Sequence, residues 1–199
     1  NNVEVFNYWS NNYKVIFQSN LVIGNQSNYL DFASSTNNVI GEAYFLRALS
    51  HFNLVRAFRD IPYVDRTVTL EDYQAIPQGA ESDTYNKIVA DFETAITFLE
   101  GSDSSQIRAT EGTAIIFLAK ALLSQPAPDY ARAQALLLPL ITDGNEFGYN
   151  LTSDYDDIFG RGDGGIENNE EIIFKIPFTV NSGGGITSAS EVADQVQTD

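Results

Sequence analysis

The chain has 199 residues, 43% of them hydrophobic and 12% aromatic, a globular composition long enough to bury a sizeable core. Its 27 acids against 11 bases leave a formal charge of −16, which repels phosphate backbones and anionic headgroups and argues against nucleic acid and anionic lipid as direct partners. With no Cys, disulfides, zinc–thiolate sites and thiol catalysis are excluded, and a lone His51 excludes any site that needs two imidazoles.

No run of about 18 apolar residues is present to span a bilayer, and the first residues carry no leader pattern. The chain starts at Asn1 and holds no Met, which reads as a processed or trimmed product, or as methionines omitted from the sequence.

The first predicted helix covers 3–22. Phe6, Trp9, Tyr13, Ile16, Phe17 and Asn20 fall within an arc of about 100° at helical period. Phe6, Ile16 and Phe17 are expected in the core, while the polar handles of Trp9 and Tyr13 suit either a core or the wall of a site. Residues 24–38 are rich in Asn, Ser and Thr and read as a loop. Asn25, Asn28 and Tyr29 on it are the candidate ligand-binding residues, since amides pair with sugar hydroxyls and an aromatic face stacks on a sugar ring.

Residues 39–59 are predicted as a helix apolar on two sides. Phe45, Leu49 and Phe52 lie on one, and Tyr44, His51, Leu54, Val55 and Phe58 on the other. Ala43, Ser50 and Ala57 add a small-residue seam at seven-residue spacing, so the helix is expected between neighbours in a layered array. Arg47 and Arg56, expected within this buried helix, need partners, with Glu42, Asp60 or Asp91 as candidates. Asp60-Ile61-Pro62 stops the helix, and 60–80 is an irregular connector.

Further helices are predicted over 83–99, 110–124 and 129–142. Ser82 or Asp83, Thr110 and Asp129 are placed as their N-caps, and Gly101 and Gly144 lie past the ends of the first and third. Pro139 is expected to kink or shorten the last helix. The Gln125-Pro126-Ala127-Pro128 break makes the last two an αα-hairpin, with Ala119, Ala131, Ala133 and Ala135 as small contact residues. After residue 145 the pattern turns irregular, with a short strand expected over 171–178.

The chemistry-bearing motifs fail on context. Gly160-Arg161-Gly162-Asp163-Gly164-Gly165 has the letters of a dinucleotide fingerprint without the strand before it or the helix after it. The acids around Asp154 to Asp163 have Phe159 where a calcium loop needs Gly. Neighbouring carboxylates at Asp156-Asp157 and Glu170-Glu171 do not face each other as glycosidase pairs must. No catalytic or metal site and no cofactor is expected.

The run from Gly41 to Phe58, with Glu42, Phe45, Leu46, Arg47, Ala48, Phe52, Leu54, Val55 and Arg56, followed by Asp60-Ile61-Pro62-Tyr63-Val64, resembles the helix-and-turn motif of the SusD/RagB family. Trp9, Tyr13, Ile16 and Asn20, the helix from Tyr85 to Leu99, the run from Arg108 to Ala114 and the Glu170 to Phe174 stretch resemble further family segments in the same order. Arg59 departs from the pattern, standing where the family usually has Gly, which bears on the turn geometry.

The resemblance implies a mainly α fold of tetratricopeptide-like helical hairpins, with 1–199 as the N-terminal helical domain of a longer chain. It also implies a non-enzymatic glycan-binding lipoprotein of the bacterial outer membrane, exposed at the cell surface. Such a protein captures oligosaccharide for a SusC-like TonB-dependent transporter and is held by a lipid anchor absent from these residues. The alternative function is a scaffold that grips the transporter and leaves sugar contacts to the rest of the protein.

Overall fold

The computed structural model describes residues 2–28, 33–73, 75–102, 105–153, 170–176, 178–180 and 186–188. Among these residues six helices follow in order: α1 Val3–Gly24, α2 Ala33–Phe58, a short α3 Leu70–Tyr73, α4 Glu81–Leu99, α5 Glu111–Ser124 and α6 Tyr130–Ile141. The chain divides into two compact units, Asn1–Ser104 with Ala109–Gly148, and Ser105–Arg108 with Tyr149–Asp199. The change of character expected after residue 145 falls at that boundary.

In the first unit the long helices pack as a sequential array, α1 on α2, α2 on α4 and α5, α4 on α5, and α5 on α6. The apolar two-sidedness of α2 has this cause: Phe45, Phe52, Leu54 and Val55 are all buried. Phe45, Phe92 and Phe117 form one aromatic cluster with centroids 5.4–6.3 Å apart. Each fully buried side chain of this size contributes roughly 1.5–3 kcal/mol. At Gly41 the side chains of α4 pack directly onto α2: an added Cβ would lie 2.6 Å from Leu99 Cγ and 3.0 Å from Phe98 Cβ.

The caps of α5 and α6 are those predicted. Thr110 Oγ1 accepts from Thr113 N–H at 3.3 Å, and Asp129 Oδ1 accepts from Arg132 N–H at 3.0 Å. α4 differs, starting at Glu81 with no side-chain cap from Ala80 or from Ser82 and Asp83. Its first donor goes to a distant group, Glu81 N–H to Asp60 Oδ1 at 2.9 Å. The Asp60-Ile61-Pro62 turn therefore ends one helix and caps another, helped by Gly79 N–H donating to Ile61 O at 3.0 Å. Arg59 occupies the left-handed region with φ 63°, the conformation glycine adopts most readily after a helix.

Several boundaries and faces differ from expectation. α2 starts at Ala33, not near residue 39, because once its apolar stretch is packed the helix extends through Ser and Asn at under ~0.7 kcal/mol per residue. Phe6 and Phe17, expected in the core, are 69% and 47% exposed. α1 packs against α2 alone among the long helices, so only Tyr13, Ile16, Ser19 and Asn20 are covered. Ala131, Ala135 and Ala57 are likewise exposed, while Ala119 and Ala133 are buried as contact residues. Pro139 sits in the last turn of α6, which ends two residues later.

In the second unit, residues 171–176 are not a strand. Their neighbourhood finds backbone partners in Lys175 N–H to Gln106 O at 2.7 Å and Asn150 N–H to Glu170 O at 3.2 Å. A two-stranded antiparallel pair follows instead, β1 Phe178–Val180 on β2 Ile186–Ser188, with Thr179 opposite Thr187. The Gly160–Gly165 run and Asp154, Asp156 and Asp157 lie outside the described residues.

Candidate functional site

The motif residues of α2 build a buried polar clamp. Arg47 forks onto Asp91 of α4, Nε to Oδ2 at 2.7 Å and Nη2 to Oδ1 at 2.6 Å. Its Nη1 donates to Asn20 Oδ1 on α1 at 2.8 Å and to Asp65 O at 2.9 Å. Tyr63 OH donates to Asp91 Oδ2 at 2.7 Å, and Asn20 Nδ2 donates to Val64 O and Arg66 O. One guanidinium thus ties three elements to the connector, with four of its five N–H groups in use. Asp91 is one of the three partners expected for Arg47. Arg56 is exposed instead, its guanidinium 5.2 Å above the Phe52 ring.

His51 belongs to the same clamp. Its Nε2 accepts from Val64 N–H at 3.2 Å, which leaves the proton on Nδ1, 3.0 Å from Arg47 O. Tyr63 stacks on the imidazole with centroids 4.0 Å apart. Burial, reinforced by the charges of Arg47 and Lys87 and only partly offset by the Arg47 carbonyl, drives the His51 pKa from 6.5 to about 3. The ring is a neutral structural bridge. Burial pushes the Tyr13 and Tyr63 hydroxyls up as well, and Tyr13 OH donates to Pro62 O at 2.7 Å. Arg47, Asp91, His51, Tyr63 and Tyr13 all spend their polar atoms on bonds that tie the helices to the connector.

The candidate ligand residues follow from the end of α1. Asn25 caps that helix, its Nδ2 donating to Leu21 O at 2.7 Å and its N–H to Val22 O at 3.2 Å. Its amide nitrogen is therefore engaged. Asn28 closes a 3-10 turn over Gln26–Asn28, with its N–H on Asn25 O at 2.9 Å and its side chain exposed. Tyr29 lies outside the described residues.

Two cavities open along α1. One, of about 370 Å³, lies between α1 and the 64–73 segment and is lined by Tyr13, Phe17, Arg66, Val68, Thr69 and Tyr73, among others. The other, of about 640 Å³, is an apolar groove lined by Asn2, Val3, Val5, Phe6, Trp9 and Phe58. Trp9 and Tyr13 are thus wall residues, one of the two roles their chemistry allowed. Val68 and Tyr73 fall in the stretch that reads as irregular connector. A signal for their local order is present in the sequence: Thr69 and Asp72 have capping-box spacing, and Thr69 Oγ1 accepts from Asp72 N–H at 3.1 Å to start α3. Among the described residues no helix is long and apolar enough to cross a membrane, and no cluster of acidic, His or Cys side chains suits a metal.

Residues 1–123 match the family model SusD-like_3, described as starch-binding and associating with the outer membrane. Two proteins of Formosa agariphila are similar. SusD-like protein P2 is 29% identical over 191 residues, 95% of this chain and 36% of that protein. SusD-like protein P25 is 23% identical over 195 residues, 96% of this chain and 36% of that protein. The chain therefore spans little more than a third of these relatives' length. Among solved structures, a laminarin-binding SusD-like protein superposes with a TM-score of 0.77 at 27% identity, covering 90% of this chain and 39% of that one. A SusD superfamily protein of Bacteroides thetaiotaomicron, 21% identical, has the same fold with a TM-score of 0.73 over 89% of this chain and 40% of that one.

Proposed function

The chain belongs to the SusD-like family, and on that premise we propose that it helps capture oligosaccharide at a bacterial outer-membrane surface and deliver it to a SusC-like TonB-dependent transporter. The match over residues 1–123 to a starch-binding, outer-membrane-associating family carries this reading. It is supported by the likeness to a laminarin-binding protein of the same fold. Capture is non-covalent: aromatic faces stack on sugar rings and amides pair with hydroxyls, with no cofactor. Asn28, exposed beside the α1 cap, and Tyr29 are the proposed loop ligands, with Asn25 contributing the oxygen its cap leaves over. The chain acts as the helical part of a longer protein, held to the membrane by a lipid anchor outside these residues.

A glycan array with the full-length protein is the direct test. Retention of at least one oligosaccharide is expected, and a blank array would remove the reading. A second role, gripping the transporter, is favoured by the exposed apolar groove around Phe6, Trp9 and Phe58. A pull-down in which this chain retains transporter and no sugar would make that role the primary one.

A further inference from the structure

We infer that the cavity between α1 and the 64–73 segment is a subsite for one uncharged sugar ring, with Phe17 and Tyr73 as its stacking faces. The inference rests on the glycan-capture reading and adds to it a place and a ligand chemistry. At about 370 Å³ the cavity sits at the lower end of the range for small-molecule pockets. Phe17 and Tyr73 flank it at 47% and 37% exposure, so both rings are reachable from water.

Its rear wall is fixed before any ligand arrives. Tyr13 is held by its hydroxyl on Pro62 O, and Asn20 is held by Arg47 and by the carbonyls of Val64 and Arg66. Tyr73 stands edge-on to Tyr13 with centroids 5.9 Å apart. A cavity set this way requires little ordering on binding, the main cost that weakens small-ligand affinity.

The lining also selects among apolar occupants. The Tyr73 hydroxyl has no hydrogen-bond partner among the described residues, so a polar occupant can pair with it where an aliphatic chain would offer it nothing. A sugar offers that hydroxyl a partner and an apolar face to the rings. Thr69 and Arg66 stand among the lining residues with further polar groups, and Arg66 meets Asp65 only at 3.8 Å with both side chains in solvent. The rest of the lining is uncharged on a chain of net charge −16, which favours a neutral ring over a uronate or sulfated one.

Affinity electrophoresis of the full-length protein through gels containing laminarin, xyloglucan or amylopectin tests the subsite. Phe17→Ala and Tyr73→Ala are each expected to weaken retention about tenfold or more, equivalent to ~1.4 kcal/mol. Tyr73→Phe is expected to lose less, and Tyr130→Ala, exposed on α6 and lining neither cavity, to match the parent. Val68→Trp, which fills the cavity without altering α1, should reproduce the loss, with thermal melts confirming that each variant is folded. Parent-like retention by folded Phe17→Ala, Tyr73→Ala and Val68→Trp overturns the subsite and leaves glycan capture standing elsewhere. Failure of the parent to be retarded by any of the three polymers overturns the capture reading and the subsite with it.

Discussion

His51 shows how one buried side chain that bridges a helix and a turn can make stability depend on pH. Its ring is buried and neutral, with a pKa of about 3 against an ordinary 6.5. The folded pKa lies below the unfolded one, so between those values the unfolded chain binds the extra proton. The contribution is complete above pH 6.5 and is lost as pH falls toward 3. From pH 7 to pH 5 this residue alone is expected to remove about 2 kcal/mol, since every tenfold change in a protonation equilibrium is worth ~1.4 kcal/mol. Urea unfolding at the two pH values checks this. His51→Gln should be less stable at pH 7 yet show a distinctly shallower fall to pH 5, and an unchanged fall would show that the imidazole is not the group being protonated. The residue's packed character and its closeness to Arg47 were legible from their spacing of four on one helix. The bond from Val64 was not, because it joins positions 13 apart through a turn whose path sequence periodicity does not describe.

At the scale of elements, sequence was most informative where one pattern had one cause. The helices around 83–99, 110–124 and 129–142 each bury a face against a neighbour. Periodicity said less about α1, because an apolar stripe records the wish to be covered and not the number of partners that cover it. Tyr13 and Ile16 are buried, whereas Phe6 and Phe17, on the flank of the same stripe, stay exposed beside cavities. The cavity between α1 and the 64–73 segment was half legible, because Tyr13 and Phe17 fall on the predicted α1 stripe while Val68 and Tyr73 come from a segment with no helical or strand period. Close helix contact was foreseeable from the small-residue seam on α2, but a position with no room for a methyl against α4 is Gly41, just before the seam's first member Ala43. Gly41→Ala would gain up to ~1 kcal/mol of helix propensity. It would also drive a methyl to 2.6 Å from Leu99 Cγ, an overpacking that costs about 1–3 kcal/mol. The clash should win, giving a lower urea midpoint at unchanged slope. A variant more stable than the parent would mean that α4 moves away freely and that the close approach is incidental.

For the whole molecule the governing quantity is charge. Twenty-seven acids and eleven bases create a negative field that neither helps nor hinders a neutral glycan but opposes a polyanionic one. The clamp adds nothing to that field, because Arg47 and Asp91 cancel within one buried pair. Salt screens surface charge over about 10 Å at 0.1 M and about 3 Å at 1 M. If aromatic stacking and hydrogen bonding carry capture, affinity for a neutral polysaccharide such as laminarin should stay within about twofold as salt rises from roughly 0.02 M to 0.5 M. Binding to polygalacturonate should be weaker at low salt and should gain as the repulsion is screened. Isothermal titration across that range distinguishes the two dependences. Tight binding of the polyanion at low salt that weakens as salt is added would require a cationic surface strong enough to override the field of the whole chain, more than the single Arg66 beside the α1 cavity supplies.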